Sequence, residues 1–473
     1  MNKLKLFLEN FLVYGLGSII SKLVPLIMVP IVTRLMPTTE YYGISDLSNT
    51  VVHFGSALAI MGMYDAMYRM FFEKDDIEYK KDVCSTALLF TLLTSIIVFL
   101  IMVLFRNTIA QYFFSNSSYV YVVYISAMAT LVSATNSIIS APTRMQNKRK
   151  LYILANTISP VISYSISIPM LLAGYYVIAL PLAAVISGIT MEISFGVLNH
   201  QWFNPRRFNR ALLKQLLVIA VPLLPNFLIY WIFNSCDKVM ITNMIGIGAA
   251  GIYSVASKLG HASQLIYTAF AGGWQFFAFS TMKEDNQVKN NSMVFEYLGI
   301  ISFIATMFVC GVSYFIFRLL FTEQYLSGYI SAPYLFMAPL MQMLFQVAAN
   351  QFLVVKKTWP NMLILSAGAV INIFINLTLI PVLGIEGASI ATLFGYVVSD
   401  IIGVTVLCRM KLMVIQKRFV IAAMMTLVEM IVWRLFFTSS MIVGLLLAMI
   451  TSCLFAVLYK KDLYMLYVMI KKK

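Results

Sequence analysis

Two lysines, Lys22 and Lys258, lie deep inside apolar stretches of a 473-residue chain. Lys22 is twelve residues into a run starting near residue 10, and Lys258 is ten into a run starting near 248. A Lys or Arg at the centre of a bilayer costs about 2.5–3.5 kcal/mol on insertion scales, so such a side chain should face protein or water. His261 comes three residues after Lys258 and shares its helical face. These residues form a candidate basic patch for binding an anion. An ion pair buried for packing is the alternative, but no acid sits one turn from either lysine.

Other titratable groups suggest ion handling. Asp46 and His53 are seven apart, on one helical face. An acid and a histidine so placed suit proton carriage or Na+ binding, although solvation explains Asp46 equally well, since it lies near an outer helix end. Asp65 and Arg69 have the four-residue spacing of an ordinary intrahelical ion pair. Lining of an inner cleft by that pair, with Arg69 as a substrate-binding cation, is the second reading. Glu192 and Asp400 occupy equivalent inner-third positions and are expected to pair with basic loops. Glu429 has no local partner.

Soluble enzymes are excluded by composition. The chain is 60% hydrophobic and only 11% charged, with a mean hydropathy of +0.85, against about 25% charge in soluble domains. Cys84, Cys236, Cys310, Cys408 and Cys453 are scattered, as are the three histidines, so neither a disulfide framework nor a zinc site is expected. No phosphate-binding GxxxxGK[ST] loop occurs. No cofactor is expected, and the energy source is expected to be an H+ or Na+ gradient or the membrane potential. Outer loops are short, leaving no room for a catalytic domain.

The elements that must hold these residues are apolar runs near 10–35, 43–71, 83–105, 117–140, 151–173, 177–199, 214–235, 248–280, 292–317, 328–353, 358–381, 387–408, 418–437 and 440–459. A span takes about 20 apolar residues, and only helices satisfy their backbone within one such segment. The expectation is an all-α polytopic membrane protein with 14 transmembrane helices. The first run is too long for a signal-peptide core and is read as retained. Of the 34 Lys and Arg residues, 26 fall in alternate loops and tails, including Lys74, Lys80, Lys81, Arg206, Arg207 and Arg210. The other face keeps only Arg34, Arg106, Lys238, Arg318 and Arg434. This bias marks the inside, so both termini are expected on the cytoplasmic side. The net charge of +15 then reflects orientation, not nucleic-acid binding.

A displacement of 208 residues maps the first six runs onto the next six: Gly43-Ile44 onto Gly251-Ile252, Phe113 onto Phe321, Lys148-Arg149 onto Lys356-Lys357, Glu192 onto Asp400. Six is even, so both copies enter the membrane the same way round, related by a pseudo-two-fold along its normal. Expected segments are residues 1–205 and 206–413, two six-helix lobes around a cleft, and 414–473, a helix pair with a basic tail. Pro25 and Pro30, Pro222 and Pro225, and Pro333 and Pro339 fall inside spans. They serve either as hinges or as ordinary packing kinks.

The stretch Pro30-Ile-Val-Thr-Arg34-Leu-Met-Pro37-Thr-Thr-Glu40-Tyr-Tyr42-Gly43 resembles the first-to-second helix junction of the Wzx polysaccharide flippases. These belong to the multidrug/oligosaccharidyl-lipid/polysaccharide (MOP) exporter superfamily. Asp237-Lys238 and Gly251-Ile-Tyr253-Ser-Val-Ala-Ser-Lys258 resemble the start of the family's eighth helix. Ser280-Thr281 departs from it, since many relatives have a proline there. The resemblance implies a substrate of undecaprenyl-pyrophosphate-linked oligosaccharide, with a groove for its lipid tail formed by the two extra C-terminal helices. Glycosyltransferases and a polysaccharide polymerase are the expected partners alongside membrane lipids. A lipid II flippase, a cation-coupled drug exporter and, from another class, a membrane glycosyl polymerase are the rival readings.

Overall fold

The computed structural model describes residues 24–267, 270, 274, 286–355, 357 and 359–464. Every element among them is helical. The chain packs as two compact units, Met1–Ser254 and Val255–Lys473.

In the first unit, α1 (Val24–Leu35) is followed by α2 (Thr39–Ile60), α3 (Met63–Phe71), α4 (Ile77–Leu104), α5 (Arg106–Phe114), α6 (Val120–Met145), α7 (Arg149–Leu172) and α8 (Ala179–Asn199). Next come α9 (Arg210–Ala220), α10 (Leu224–Trp231) and α11 (Asp237–Met244), joined through a 3₁₀ turn at Val221–Leu223 and a π turn at Ile232–Cys236. Together they make one apolar stretch, Arg210–Met244, of 35 residues. Helix α12 (Ile247–Gly260) crosses the boundary between the units. The second unit continues with α13 (Gln287–Leu320), α14 (Ala332–Val354), α15 (Trp359–Leu383), α16 (Ile385–Arg409), α17 (Lys417–Val432) and α18 (Met441–Leu458), with a π turn at Trp433–Phe437 after α17.

Among the described residues, eleven helices are long and apolar enough to cross a membrane. The chain is a multi-pass membrane protein. The expected first, second and eighth spans coincide with α1, α2–α3 and α12, which are not among the eleven. Each has a local reason. Helix α1 begins where the described residues begin, and α12 ends in a turn at His261–Ala262. Most of the expected eighth span beyond residue 267, with Ser280 and Thr281 at its end, lies outside the described residues. Helix α2 buries Ser45, Asp46, Ser48, Thr50 and Ser56, polar groups that lower its hydropathy and turn toward protein rather than lipid.

The expected span 43–71 is broken between α2 and α3, where Met61 (φ 49°) and Gly62 (φ 76°) are both left-handed. A Cβ on Gly62 would stand 2.5 Å from the carbonyl oxygen of Ala220. The break therefore lets α3 turn onto α9, and Met63, Met67, Met70, Leu216 and Ala220 share one core. The prolines of the seventh and tenth spans are accommodated locally. Pro222 sits in the 3₁₀ turn and Pro225 in the first turn of α10. Pro333 opens α14, where a missing N–H leaves no bond unmade, and only Pro339 of that pair is interior.

The repeat is visible in the elements: α2 starts at Thr39 and its counterpart at Ile247, 208 residues on, and the starts of α6, α7 and α8 at Val120, Arg149 and Ala179 have counterparts at Ala332, Trp359 and Ile385, within four residues of that displacement. The packing units do not coincide with the sequence segments 1–205, 206–413 and 414–473. The seventh span packs on the first copy: Trp231 Nε1 donates to the carbonyl of Thr50 at 3.3 Å, and Asn243 Nδ2 donates to that of Tyr112 at 2.8 Å. Helix α18 meets α13 at Gly444 and Gly311, close enough that a side chain on either would strike the other's backbone.

Repeat-equivalent residues touch where α2 meets α12. Gly43 and Gly251 pack backbone to backbone, and a Cβ on Gly251 would overlap the Thr39 carbonyl oxygen. Gly251→Ala is therefore expected to destabilise the protein by about 1–3 kcal/mol, the usual cost of overpacking. Gly196→Ala, where nothing lies within 4 Å, is the control; thermal unfolding of the two purified variants checks the difference.

Candidate functional site

The close glycine contact brings α12 against α2, and with it two more repeat-equivalent residues, Asp46 and Ser254. Ser254 Oγ donates to Asp46 Oδ2 at 2.8 Å. The same carboxylate oxygen takes the ammonium of Lys238 at 2.6 Å, with the Asp46 and Lys238 side chains 4% and 12% exposed. Next to it, Asp237 is also buried. It accepts from its neighbour's backbone, Lys238 N to Oδ1 at 2.8 Å, and from the hydroxyl of Tyr253 at Oδ2. Two acids, one lysine, a serine and a tyrosine thus form one buried network on α2, α11 and α12.

The π turn at Ile232–Cys236 prepares this. A π turn adds a residue to a helical turn and rotates the residues after it. Asp237 and Lys238 come directly after it and both point into the unit. Solvation is thereby excluded for Asp46. Lys238, read from the sequence as an outer-loop residue, is instead an inner member of the Arg210–Met244 stretch. No local spacing signals the pair, because its partners are remote in sequence.

Lys22 lies outside the described residues. Lys258 is exposed at the end of α12, and His261 Nδ1 lies 2.9 Å from Ser257 Oγ. His53 is exposed on α2 while Asp46, seven residues before it, is buried, so the face they share is not uniformly covered. Of the family-motif residues Arg34, Gly43, Asp237, Lys238, Gly251 and Tyr253, the last five belong to the buried network or its glycine contact. Asp65 and Arg69 are both exposed on α3 and make no ion pair with each other among the described residues. An exposed pair gains about 0–1 kcal/mol at best, too little to hold two long side chains in one geometry. Among the described residues Asp400 has no hydrogen-bond partner, so the expected pairing with a basic loop is absent there. Burial in the packed face of α16 keeps its carboxyl away from such a loop.

Two further ion clusters escaped the sequence reading. Arg434, in the second π turn, grips Glu386 with Nε at 2.5 Å and a terminal nitrogen at 2.7 Å, and Tyr334 donates to the same carboxylate. Arg418 contacts Glu296 at 3.5 Å, pairs with Asp462, and stacks 4.1 Å above the Tyr459 ring. Both fasten the C-terminal helices to the rest of their unit. Glu429 receives the hydroxyl of Thr451 on α18.

The first unit also holds a cavity of about 380 Å³ among α1, α2, α6, α7 and α8. Serine and asparagine side chains line much of it, and none of its described lining residues is charged. Sequence reasoning passed over it because neutral polar residues carry no charge signal.

A sequence family described as polysaccharide biosynthesis protein matches residues 31–330. The chain belongs to that family. No curated protein matches the sequence. Among solved structures it is similar to a lipid II flippase, MurJ, in an inward closed conformation, with TM-score 0.71, 14% identity, 96% of this chain and all of that chain covered. It is also similar to an inward-facing multidrug resistance MATE family transporter of the MOP superfamily, with TM-score 0.61, 12% identity, and 83% and 98% of the two chains covered. A MATE in complex with MaL6 gives TM-score 0.59 at 14% identity, over 86% and 95%. The matched segment of the polysaccharide biosynthesis family holds the whole Asp46–Lys238 network and most of the helices around the neutral cavity. The fold is that of the MOP exporters, as the resemblance of the Pro30–Gly43 and Asp237–Lys258 stretches implies.

Removing one partner of a buried pair leaves an uncompensated charge, costing about 3–5 kcal/mol. Lys238→Met and Asp46→Asn are each expected to lose much of their folded yield, with Asp46→Asn/Lys238→Met recovering part of it. A double-mutant cycle on the thermal unfolding of the purified proteins measures that coupling.

Proposed function

We propose that this protein is a flippase. It carries undecaprenyl-pyrophosphate-linked oligosaccharide repeat units from the inner to the outer leaflet of a bacterial cytoplasmic membrane, by alternating access, for capsule, exopolysaccharide or O-antigen synthesis. The observation that carries the reading is the family match from residue 31 to residue 330, which spans parts of both sequence copies. In this reading the pyrophosphate is drawn by Lys22, Lys258, His261 and Arg69. An anionic headgroup is what cations held at membrane depth suit. Asp46, His53 and Asp65 are the groups proposed to couple transport to an H+ or Na+ gradient. No nucleotide-binding loop occurs in the sequence, which leaves a gradient or the membrane potential as the energy source. Both termini lie in the cytoplasm, as the loop charges indicate. Glycosyltransferases supply the substrate and a polymerase consumes the product.

Deletion of the gene is expected to remove surface polysaccharide while leaving growth intact. Lys258→Ala or Lys22→Ala should give the same loss with the protein still inserted at wild-type level, and Lys258→Arg should retain function; polymer staining and membrane immunoblots measure both. Wild-type polymer in the two alanine variants would remove these lysines from the mechanism. Cell-wall arrest or altered drug sensitivity on deletion, with polysaccharide unchanged, would replace the reading with one of the two other activities borne by this fold.

A further inference from the structure

The neutral cavity in the first unit has an unusual hydrogen-bonding state. Asn49, Ser133, Asn136, Ser163 and Tyr164 all line it. None of them makes a side-chain hydrogen bond to any described residue. The Asn136 side-chain carbonyl oxygen is buried there and has no partner among the described residues. A buried acceptor left unmade carries the full penalty of its lost hydration. Asn49 and Ser133 are exposed and Ser163 and Tyr164 half-buried, so these four polar groups can bond a guest in place of water, and the cavity suits one that supplies both donors and acceptors. Pro25, Pro160 and Pro181 line it as well. Each lacks a backbone N–H, which shifts the balance of the walls toward acceptors.

Charge and size narrow the chemistry of the guest. The described lining has no Asp, Glu, His, Lys or Arg. It offers no group to carry a proton, no carboxylate to neutralise a metal cation, and no cation to hold a phosphate. An acyl chain would leave every hydroxyl and amide unsatisfied. A polyhydroxylated neutral molecule meets all of these conditions, since each of its hydroxyls both donates and accepts. The Tyr164 ring offers a flat apolar surface beside them. At about 380 Å³ the cavity falls near the lower end of the range of about 300–1,000 Å³ for small-molecule sites. It is large enough for a sugar of roughly one or two rings and too small for a whole lipid-linked unit.

We propose that this cavity is a sugar subsite. It receives a neutral sugar ring of the lipid-linked substrate. The assignment rests on the flippase reading and adds to it a place for the part of the substrate that varies between polysaccharides. Asn136 and Ser163 are the residues that discriminate, through hydrogen bonds, while Ser159 and Ser187 bond to each other across the wall and shape it.

The test uses the full chain in lipid nanodiscs and three probes: undecaprenyl pyrophosphate, and the same lipid bearing a hexose or an N-acetylhexosamine. Wild-type protein is expected to bind at least one of the glycosylated probes about tenfold more tightly than the sugar-free lipid, as a small set of new hydrogen bonds would give. Asn136→Leu, which removes the amide at similar volume, and Ser163→Phe, which fills the space, should each abolish that preference. Affinity for the sugar-free lipid should stay unchanged, which also reports that the variants are folded. Equal affinity of the wild type for all three probes, or a preference that survives both substitutions, would overturn the sugar subsite and leave the flippase reading standing. Binding of none of the probes by the wild type would overturn the flippase reading itself, and the subsite with it.

Discussion

A charge at membrane depth is costly unless it is paired, and the packing of α2, α11 and α12 is organised around meeting that condition. Lys238 and Asp46 meet it by pairing at 2.6 Å, with Ser254 and the adjacent Asp237–Tyr253 contact completing the shell. Attraction between two ions in a low-dielectric interior is strong, but taking both out of water costs several kcal/mol per ion. The pair is therefore better understood as a specificity device than as a source of stability. It can form only if α2, α11 and α12 approach in one register, and the Gly43–Gly251 contact allows that approach.

The same solution recurs in the second unit. Two π turns, Ile232–Cys236 and Trp433–Phe437, each lie at or beside a basic residue that pairs with an acid far away in sequence. A π turn departs from regular helical bonding, so its retention has to be offset. Here the offset is an ion pair that a regular helix would have aimed elsewhere. Arg434 with Glu386, and Arg418 with Glu296 and Asp462, bind the terminal helices at two places. The C-terminal pair is thus tied to α13 and α16 within the second unit.

Set against these satisfied ions, the neutral cavity stands apart. Its walls keep hydrogen-bonding capacity that the described helices around it do not use. In the proposed mechanism the two kinds of site divide the substrate by chemistry: cations for the diphosphate, hydroxyls and amides for the sugar. Such a division would let the sugar pocket diverge among family members while the headgroup contacts stay constant.

The sequence by itself determined the membrane setting, the helical class, the repeat and the family. All four rest on signals that are local or periodic: apolar runs of span length, alternation of basic loops, one displacement of 208 residues between Gly43 and Gly251, and the Pro30–Gly43 and Asp237–Lys258 stretches. Tertiary structure alone decided the partners. Asp46 reads equally well as a solvated acid near a helix end until α11 is turned by its π segment to deliver Lys238. Asp65 and Arg69 have ideal spacing for a pair, yet water on both makes the bond worthless. Lys238 looks like a loop residue because the apolar run 214–235 stops short of it, whereas the helix continues through a π turn. Asn136, Ser163 and Tyr164 carry no signal at all in one dimension, since an unmet hydrogen bond exists only once the walls of a cavity have been assembled around it.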